Sequence, residues 1–446
     1  MNLDFMRDVF REAASKPALV WNDREYDYAW LLAALDRWQA WLAARPGFGR
    51  ASVVALEADF SPNAVALLLA LIETDAIVVP LTDSVEAKKP TFRAVSEVQF
   101  IVRLDARDEV TCTATGVTPS HELLRRLIDG GKPGLILFSS GSTGESKAAL
   151  HDFGGILEKF KVRRHAKRML TFLLFDHIGG VNTLLYVLSN GGTAVTVSDR
   201  SPDAVLATIA KWRVQVLPAS PTFLNLILFS QAYERHDLSS LELVTYGTEV
   251  MPPATLERFA SLFPKLQLQQ TYGLSEVGIL RSKSRDNHTT WVKLGGEGFE
   301  LRVREGLLEI KAASAMLGYL NAPSPFTDDG WFMTKDAVEQ DGEWLKILGR
   351  KSEIINVGGE KVYPAEVEGV LAMMPGVEDV VVSGEKNPIT GMMVVARVKL
   401  LDDEPLPAFR ARMRQFLQGK LRPFQIPQKV QVLDALSHGA RFKKMR

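Results

Sequence analysis

Only one cysteine, Cys112, occurs in 446 residues. A single thiol forms no internal disulfide and supports no cysteine-based metal site, so a reducing, cytoplasmic setting is expected. Cys112 lies in the run 110–115 without a nearby histidine and reads as a structural or incidental thiol. Net charge is lacking too, because 53 Lys+Arg balance 53 Asp+Glu. That balance excludes a global field for collecting nucleic acid or anionic membrane. No apolar run is long enough to span lipid. The longest, 64–81, is interrupted by Glu73 and Asp75 and reads as a buried helix followed by a strand. The first ten residues carry acids and no apolar segment, so no signal peptide is expected. Internal repeats and low-complexity tracts are absent as well.

What is present suits a large soluble globular protein. Apolar residues make up 46% of the chain, enough for a sizeable core. At roughly 150 residues per domain, two or three domains are expected. Residues 52–56, 76–80, 134–138, 169–175, 193–197 and 241–246 read as strands. Residues 64–73, 180–190 and 252–263 read as helices, and another opens at Ser201-Pro202, where proline suits the first turn. Strands separated by helices predict parallel sheets with covered faces. Near residue 295 the texture changes. Residues 299–303 and 307–311 alternate apolar and polar around Arg304, Glu305 and Gly306, which predicts a hairpin. Beyond Gly349-Arg350 a small α+β unit is expected, with helices over 364–373 and 409–421 and strands over 377–383 and 392–399.

The strongest chemical signal is Phe138-Ser-Ser-Gly-Ser-Thr-Gly-Glu-Ser-Lys147, directly after a buried strand. Gly141 and Gly144 let backbone N–H groups approach a polyphosphate. The hydroxyls of Ser139, Ser140, Ser142 and Thr143 add donors, and Lys147 supplies a point charge. The spacing is not a Walker motif, since Lys147 comes three positions after Gly144. Alone, the loop reads equally well as a polar turn. It resembles the signature loop of the adenylate-forming superfamily: acyl- and aryl-CoA ligases, adenylation domains and luciferases. Other segments match that family in the same order, from about residue 15 to the end.

Thr271-Tyr-Gly-Leu-Ser-Glu276 resembles the second core motif. The resemblance implies Thr271 beside the α-phosphate, Tyr272 and Gly273 near the adenine, and Glu276 on Mg²⁺. On its own Glu276 reads as a surface acid. Tyr246-Gly-Thr-Glu249 occupies the place of an adenine-contacting loop, which assigns Gly247, Thr248 and Glu249 to the nucleotide. Gly330-Trp-Phe-Met-Thr-Lys-Asp336 resembles the ribose motif. There Asp336 grips the vicinal hydroxyls, as a carboxylate can, and Arg350 is the second ribose contact. The run 352–366 also matches closely. By resemblance its Gly358, Gly359 and Lys361 line a thiol tunnel, and Ser352 stands at the hinge position.

The family's adenylation lysine lies near the C-terminus. Lys443 keeps the family's spacing to Arg446 and is preferred to Lys444, which keeps the apolar neighbour Met445. Its implied role is to neutralise charge building on the carboxylate and phosphates. The segment 175–180 resembles the acyl-pocket wall, with His177 as gate and Asp176 and Gly180 beside it. Ser220 and Tyr246 are expected to add wall. Asp176 precedes the gate, whereas an amine-binding Asp would follow it, so an acid without an amino group is favoured.

The resemblance implies an α/β fold. A large N-terminal domain (1–349) has parallel-rich sheets flanked by helices and a small barrel-like β part. A hinge (350–352) leads to a small mobile α+β C-terminal domain (353–446) carrying the catalytic lysine. The implied activity is an AMP-forming ligase. It adenylates a fatty or aromatic acid with ATP and Mg²⁺, releases pyrophosphate and passes the acyl group to CoA. No carrier domain is expected within the chain, so CoA, or phosphopantetheine on an acyl carrier protein, arrives in trans. A carrier-protein-loading enzyme and a catalytically silent nucleotide- or acyl-binding protein are the alternatives, and a homodimer stays open.

Overall fold

In the computed structural model, residues 2–140 and 145–433 are described. Two seven-stranded sheets form its larger part. One runs in the order Gln267–Gln270, Leu243–Tyr246, Val216–Ala219, Arg168–Leu170, Thr193–Val195, Pro17–Trp21, Arg24–Asp27, and is parallel up to its last, antiparallel pair. The other runs Gly318–Tyr319, Ser146–Asp152, Gly134–Ser140, Ile77–Leu81, Val53–Glu57, Phe100–Leu104, Val110–Ala114. Its central strands are parallel and its two edges antiparallel. The apolar runs noted above become these buried central strands, because helices cover both faces.

The helix Pro62–Glu73 shows how sequence sets an element here. Ser61 caps it, its Oγ accepting from the Ala64 N–H at 3.1 Å, and Pro62 occupies the first turn. Its side chains from Ala64 to Ile72 are fully enclosed. Glu73 at its end is also buried, and its carboxylate accepts from Arg7 Nη2 at 2.6 Å and Gln39 Nε2 at 2.6 Å. That acid, which argued against a lipid span, therefore lies paired inside the protein. Among the described residues no helix is long and apolar enough to cross a membrane.

The expected hairpin forms as Phe299–Arg304 and Leu307–Ala312, with Glu305 and Gly306 both at positive φ in a two-residue turn. It belongs to a six-stranded antiparallel sheet that also contains Phe332–Asp341 and Trp344–Arg350. Past a short 3₁₀ turn at Lys351–Glu353, the chain builds a five-stranded sheet from Ile355–Val357, Glu360–Val362, Val377–Asn387, Gly391–Leu400 and Lys429–Val432. That sheet and the helices Pro364–Leu371 and Leu406–Leu417 enclose their own apolar cluster around Val367, Val380 and Phe409. The cluster touches the larger part through Gly369, where a Cβ would stand 3.0 Å from Pro252 Cβ.

One strand is much shorter than its sequence predicts. Residues 169–175 were expected to be extended throughout, but the strand is Arg168–Leu170. After Thr171, whose N–H still donates to the Val195 carbonyl at 2.9 Å, the chain leaves the sheet. The Phe172 carbonyl accepts from Arg200 Nε at 3.0 Å, and the Leu174 carbonyl is covered by the helix Ile178–Ser189.

Candidate active site

The phosphate-loop residues flank a hairpin turn. Gly134–Ser140 and Ser146–Asp152 pair antiparallel, with Ser139 opposite Lys147. Gly141, Ser142, Thr143 and Gly144 lie outside the described residues, as do Lys443 and Lys444. Lys147 Nζ stands 5.3 Å from the ring centroid of Tyr319. The Tyr319 phenol donates to Glu276 Oε1 at 2.7 Å. Burial and the Glu276 charge push that phenol well above its usual pKa, so it remains a donor. A lysine and a carboxylate more than a hundred residues apart thus meet over one tyrosine ring.

The segment 271–276 approaches from the first sheet. Thr271 N–H and Oγ1 both bind the Tyr246 carbonyl, at 2.7 and 3.1 Å. Gly247 is required at this crossing, since a Cβ there would lie 2.5 Å from Thr271 Oγ1 and 2.7 Å from its carbonyl oxygen. The Tyr272 phenol donates to Asp336 Oδ2 at 2.5 Å. Burial, then the Asp336 charge, raise the Tyr272 pKa well above normal. Asp336 faces Arg350 across the strand pair, with Arg350 Nε 3.8 Å from Oδ1. Arg350 also lines a small cleft with Val250, Gly349, Glu353 and Tyr363, where the two parts of the chain meet. Glu276 and Asp336 are both buried. Between them, Tyr272 and Glu276 turn one short segment into a bridge from the Asp336–Arg350 pair to the Lys147–Tyr319 pair.

Glu276 fits a divalent cation. Tyr319 occupies Oε1, and among the described residues no protein donor reaches Oε2. No group of three or more His, Cys, Asp or Glu that could hold a metal occurs among the described residues. One carboxylate beside a polyphosphate is a donor set that suits Mg²⁺, which keeps most of its waters.

The other expected site residues have different surroundings. Thr248 adopts φ +72°, a left-handed conformation rare for threonine. The Glu249 carboxylate accepts from Thr222 Oγ1 at 2.6 Å, at the start of the helix Pro221–Ser230. Ser220 caps that helix through a 3.1 Å bond from the Phe223 N–H and is fully buried. The Tyr246 ring is also buried, inside an apolar cluster. Gly180 serves close packing: a Cβ there would stand 1.9 Å from the Leu174 carbonyl oxygen. His177 caps the helix Ile178–Ser189, its Nδ1 accepting from the Gly179 N–H at 3.1 Å. Asp176 is buried and accepts from Thr82 Oγ1 at 3.0 Å, tying the ends of the two sheets together. Arg200 and Asp59 sit near it, and burial lowers the pKa of Arg200 and raises that of Asp59. Gly358 and Gly359 form a hairpin turn, both at positive φ with open space at each Cβ, and Lys361 beside them is exposed. Ser352 lies in the 3₁₀ turn after Arg350.

Sequence reasoning missed Tyr319, Asn321 and His151. His151, fully buried on the Ser146–Asp152 strand, donates from Nε2 to the Ser275 carbonyl at 2.6 Å and so anchors the residue before Glu276. Burial pushes its pKa down from 6.5 to about 4. The unfolded chain binds a proton here below pH 6.5 that the folded chain refuses until about pH 4. The stability is therefore complete above pH 6.5 and is lost progressively as the pH falls toward 4. Between pH 7.5 and 5 the loss through this residue is expected to be about 2 kcal/mol. Urea unfolding of His151→Asn at both pH values should show that increment gone. Equal acid sensitivity in the two proteins would rule the account out.

The model of the AMP-binding enzyme family matches residues 6–299, and that of the AMP-binding enzyme C-terminal domain matches residues 366–443. The indoleacetate–CoA ligase of Aromatoleum aromaticum is 29% identical over 95% of this chain and 92% of its own length. The 2-succinylbenzoate–CoA ligase of Bacillus licheniformis is 27% identical over 70% of this chain and 68% of its own. Among solved structures, an anthranilate CoA ligase in complex with anthranoyl-AMP aligns at TM-score 0.80 and 18% identity, covering 98% of this chain and 95% of its own. That likeness shows a shared fold, with a large N-terminal sheet-and-helix domain and a C-terminal domain.

Proposed function

Because the chain belongs to the AMP-binding enzyme family, we propose that it joins a carboxylic acid to CoA through an acyl-adenylate. In the first step a carboxylate oxygen attacks the α-phosphorus of ATP, the bond to the β-phosphate breaks, and pyrophosphate leaves. In the second, the CoA thiolate attacks the acyl carbonyl, a thioester forms, and AMP leaves. Two relatives named as CoA ligases support CoA as the thiol and small acids as substrates. Both are named for aromatic acids, so aromatic acids come first among those to test.

One observation carries the reading of the site. The Tyr272–Glu276 stretch contacts Asp336, beside Arg350, at one end and Tyr319, beneath Lys147, at the other. A ribose and a polyphosphate belonging to one nucleotide are separated in the same sense. In this reading Asp336 and Arg350 hold the ribose hydroxyls, Thr271 orients the α-phosphate, and Lys147 faces the outer phosphates. Glu276 would hold Mg²⁺, which when bound offsets phosphate charge. Lys443 is the proposed adenylation lysine. Residues 353–446 are proposed to pivot at Ser352 between the two steps, bringing the Gly358–Gly359 turn to the thiol path.

Pyrophosphate release with ATP, Mg²⁺ and a panel of aryl and fatty acids, with and without CoA, tests this directly. Acid-dependent release is expected, with turnover stimulated by CoA. Stimulation only by an acyl carrier protein would move the acceptor to that partner. Tight ATP binding without release for any acid would mark a silent binding protein instead.

A further inference from the structure

The segment 316–321 grips both charged ends of the phosphate site. Its Gly318–Tyr319 part pairs antiparallel with Ser146–Asp152, and the Leu320 N–H donates to the Ala148 carbonyl at 2.9 Å. The Asn321 side-chain amide straddles Lys147. Its Nδ2 donates to the Ser146 carbonyl at 2.9 Å, and its Oδ1 accepts from the Ala148 N–H at 2.9 Å. The backbone on either side of the lysine is thereby held by one planar group, and the Tyr319 ring stands beside the lysine's ammonium. At the other end, the Met316 N–H donates to the Glu276 carbonyl at 2.7 Å, while the Tyr319 phenol binds the Glu276 carboxylate. Glu276 is held at its backbone and at its side chain by residues three positions apart.

We infer that this segment sets the spacing between Lys147 and Glu276, and that Tyr319 is a positioning residue for the metal–triphosphate. The inference rests on the ATP-site reading above. A glutamate carboxylate rotates about its last bond, and a cation must freeze that rotation to bind. With Oε1 fixed by the phenol, Oε2 is left in one orientation for the cation, and part of the ordering is complete before the metal arrives. Hydrogen bonds to a ligating carboxylate typically change metal affinity by about 10–100-fold when removed. The ring contributes separately. A lysine ammonium near an aromatic face is attracted to it, which limits where the long side chain can go.

Two substitutions separate these contributions. Tyr319→Phe keeps the ring beside Lys147 and removes the bond to Glu276. Tyr319→Leu removes both. ATP binding to the full chain is measured by titration calorimetry in EDTA and in Mg²⁺, with thermal unfolding as the check on folding. For Tyr319→Phe the affinity for Mg-ATP should fall about tenfold, while metal-free ATP binds as it does to the unaltered chain. For Tyr319→Leu metal-free ATP should weaken as well, and its recovery in Tyr319→Phe is the rescue that a purely structural role would not give. Tyr319→Phe binding Mg-ATP at full strength, or losing affinity equally in both buffers, would overturn the assignment. Binding is read without any acid or CoA, so failure to find an acid substrate would leave this outcome legible. An unaltered chain that bound no ATP in either buffer would overturn the ATP site and Tyr319's role together.

Discussion

Exchanging Asp336 for alanine is expected to weaken ATP binding by about two to four orders of magnitude, from losing two charge-assisted hydrogen bonds at about 1.5–3 kcal/mol each. Asp336 is buried, lies beside Arg350 and accepts from the Tyr272 phenol at 2.5 Å. Its removal has two separable effects. In the proposed site the ribose loses the carboxylate that would accept both hydroxyls, and Arg350 loses the charge beside it. Tyr272 loses the carboxylate acceptor of its buried phenol, which should lower unfolding stability by about 1–3 kcal/mol. Tyr272→Phe is the control. It gives up the same internal bond but leaves the carboxylate in place, so its loss in ATP affinity should be tenfold at most, about the worth of one hydrogen bond. Calorimetry and urea unfolding on both variants read the two effects. ATP affinity within threefold of the unaltered chain in Asp336→Ala would remove Asp336 from the nucleotide site.

Ser352→Pro should divide the two half-reactions. The chain passes from the strand Trp344–Arg350 into the C-terminal sheet through the single turn Lys351–Glu353. Proline fixes φ at its own position, removes an N–H, and drives the preceding Lys351 toward extended backbone. The proposed pivot, which would take two conformations, then keeps one. The favoured half-reaction should stay within about threefold. The other should fall about a hundredfold, the scale on which ångström misplacements act. Pyrophosphate bursts read the first half-reaction, and single-turnover transfer from preformed acyl-adenylate to CoA reads the second. Equal loss in both would count against a pivot at this residue.

The residues that were legible in sequence are those strung together in short segments. Tyr272 and Glu276 lie in one motif, and Asp336 and Arg350 lie either side of one hairpin, so local order preserved the signal. Tyr319 and Asn321 gave none. Tyr319 ends a strand only two residues long and Asn321 lies just beyond it, so no periodicity marks either, and their side-chain partners are distant in sequence. His151 was invisible for the same reason, since its partner Ser275 lies 124 residues away. Gly180 carries a second role that the sequence did not announce. Its place beside the expected acyl pocket came from resemblance, whereas its packing role shows only in three dimensions: a Cβ there would meet the Leu174 carbonyl, and only its absence lets the helix lie there. The last helix ran ahead of its forecast, starting at Leu406 rather than 409 and stopping at Leu417, two residues before Gly419 at φ +76°. Its N-terminus was hidden by Pro405, Leu406 and Pro407, which look like loop residues but suit a first turn.

The half-buried thiol of Cys112, on the edge strand Val110–Ala114, gives the chain a built-in chemical handle. Burial raises its pKa, so it alkylates slowly at neutral pH. Ile389, at the tip of a C-terminal hairpin, is 92% exposed. A cysteine placed there should react first, leaving the native thiol for a second dye. Donor and acceptor could then be attached in sequence without deleting Cys112, and energy transfer between them would report the proposed swing of the C-terminal unit during turnover.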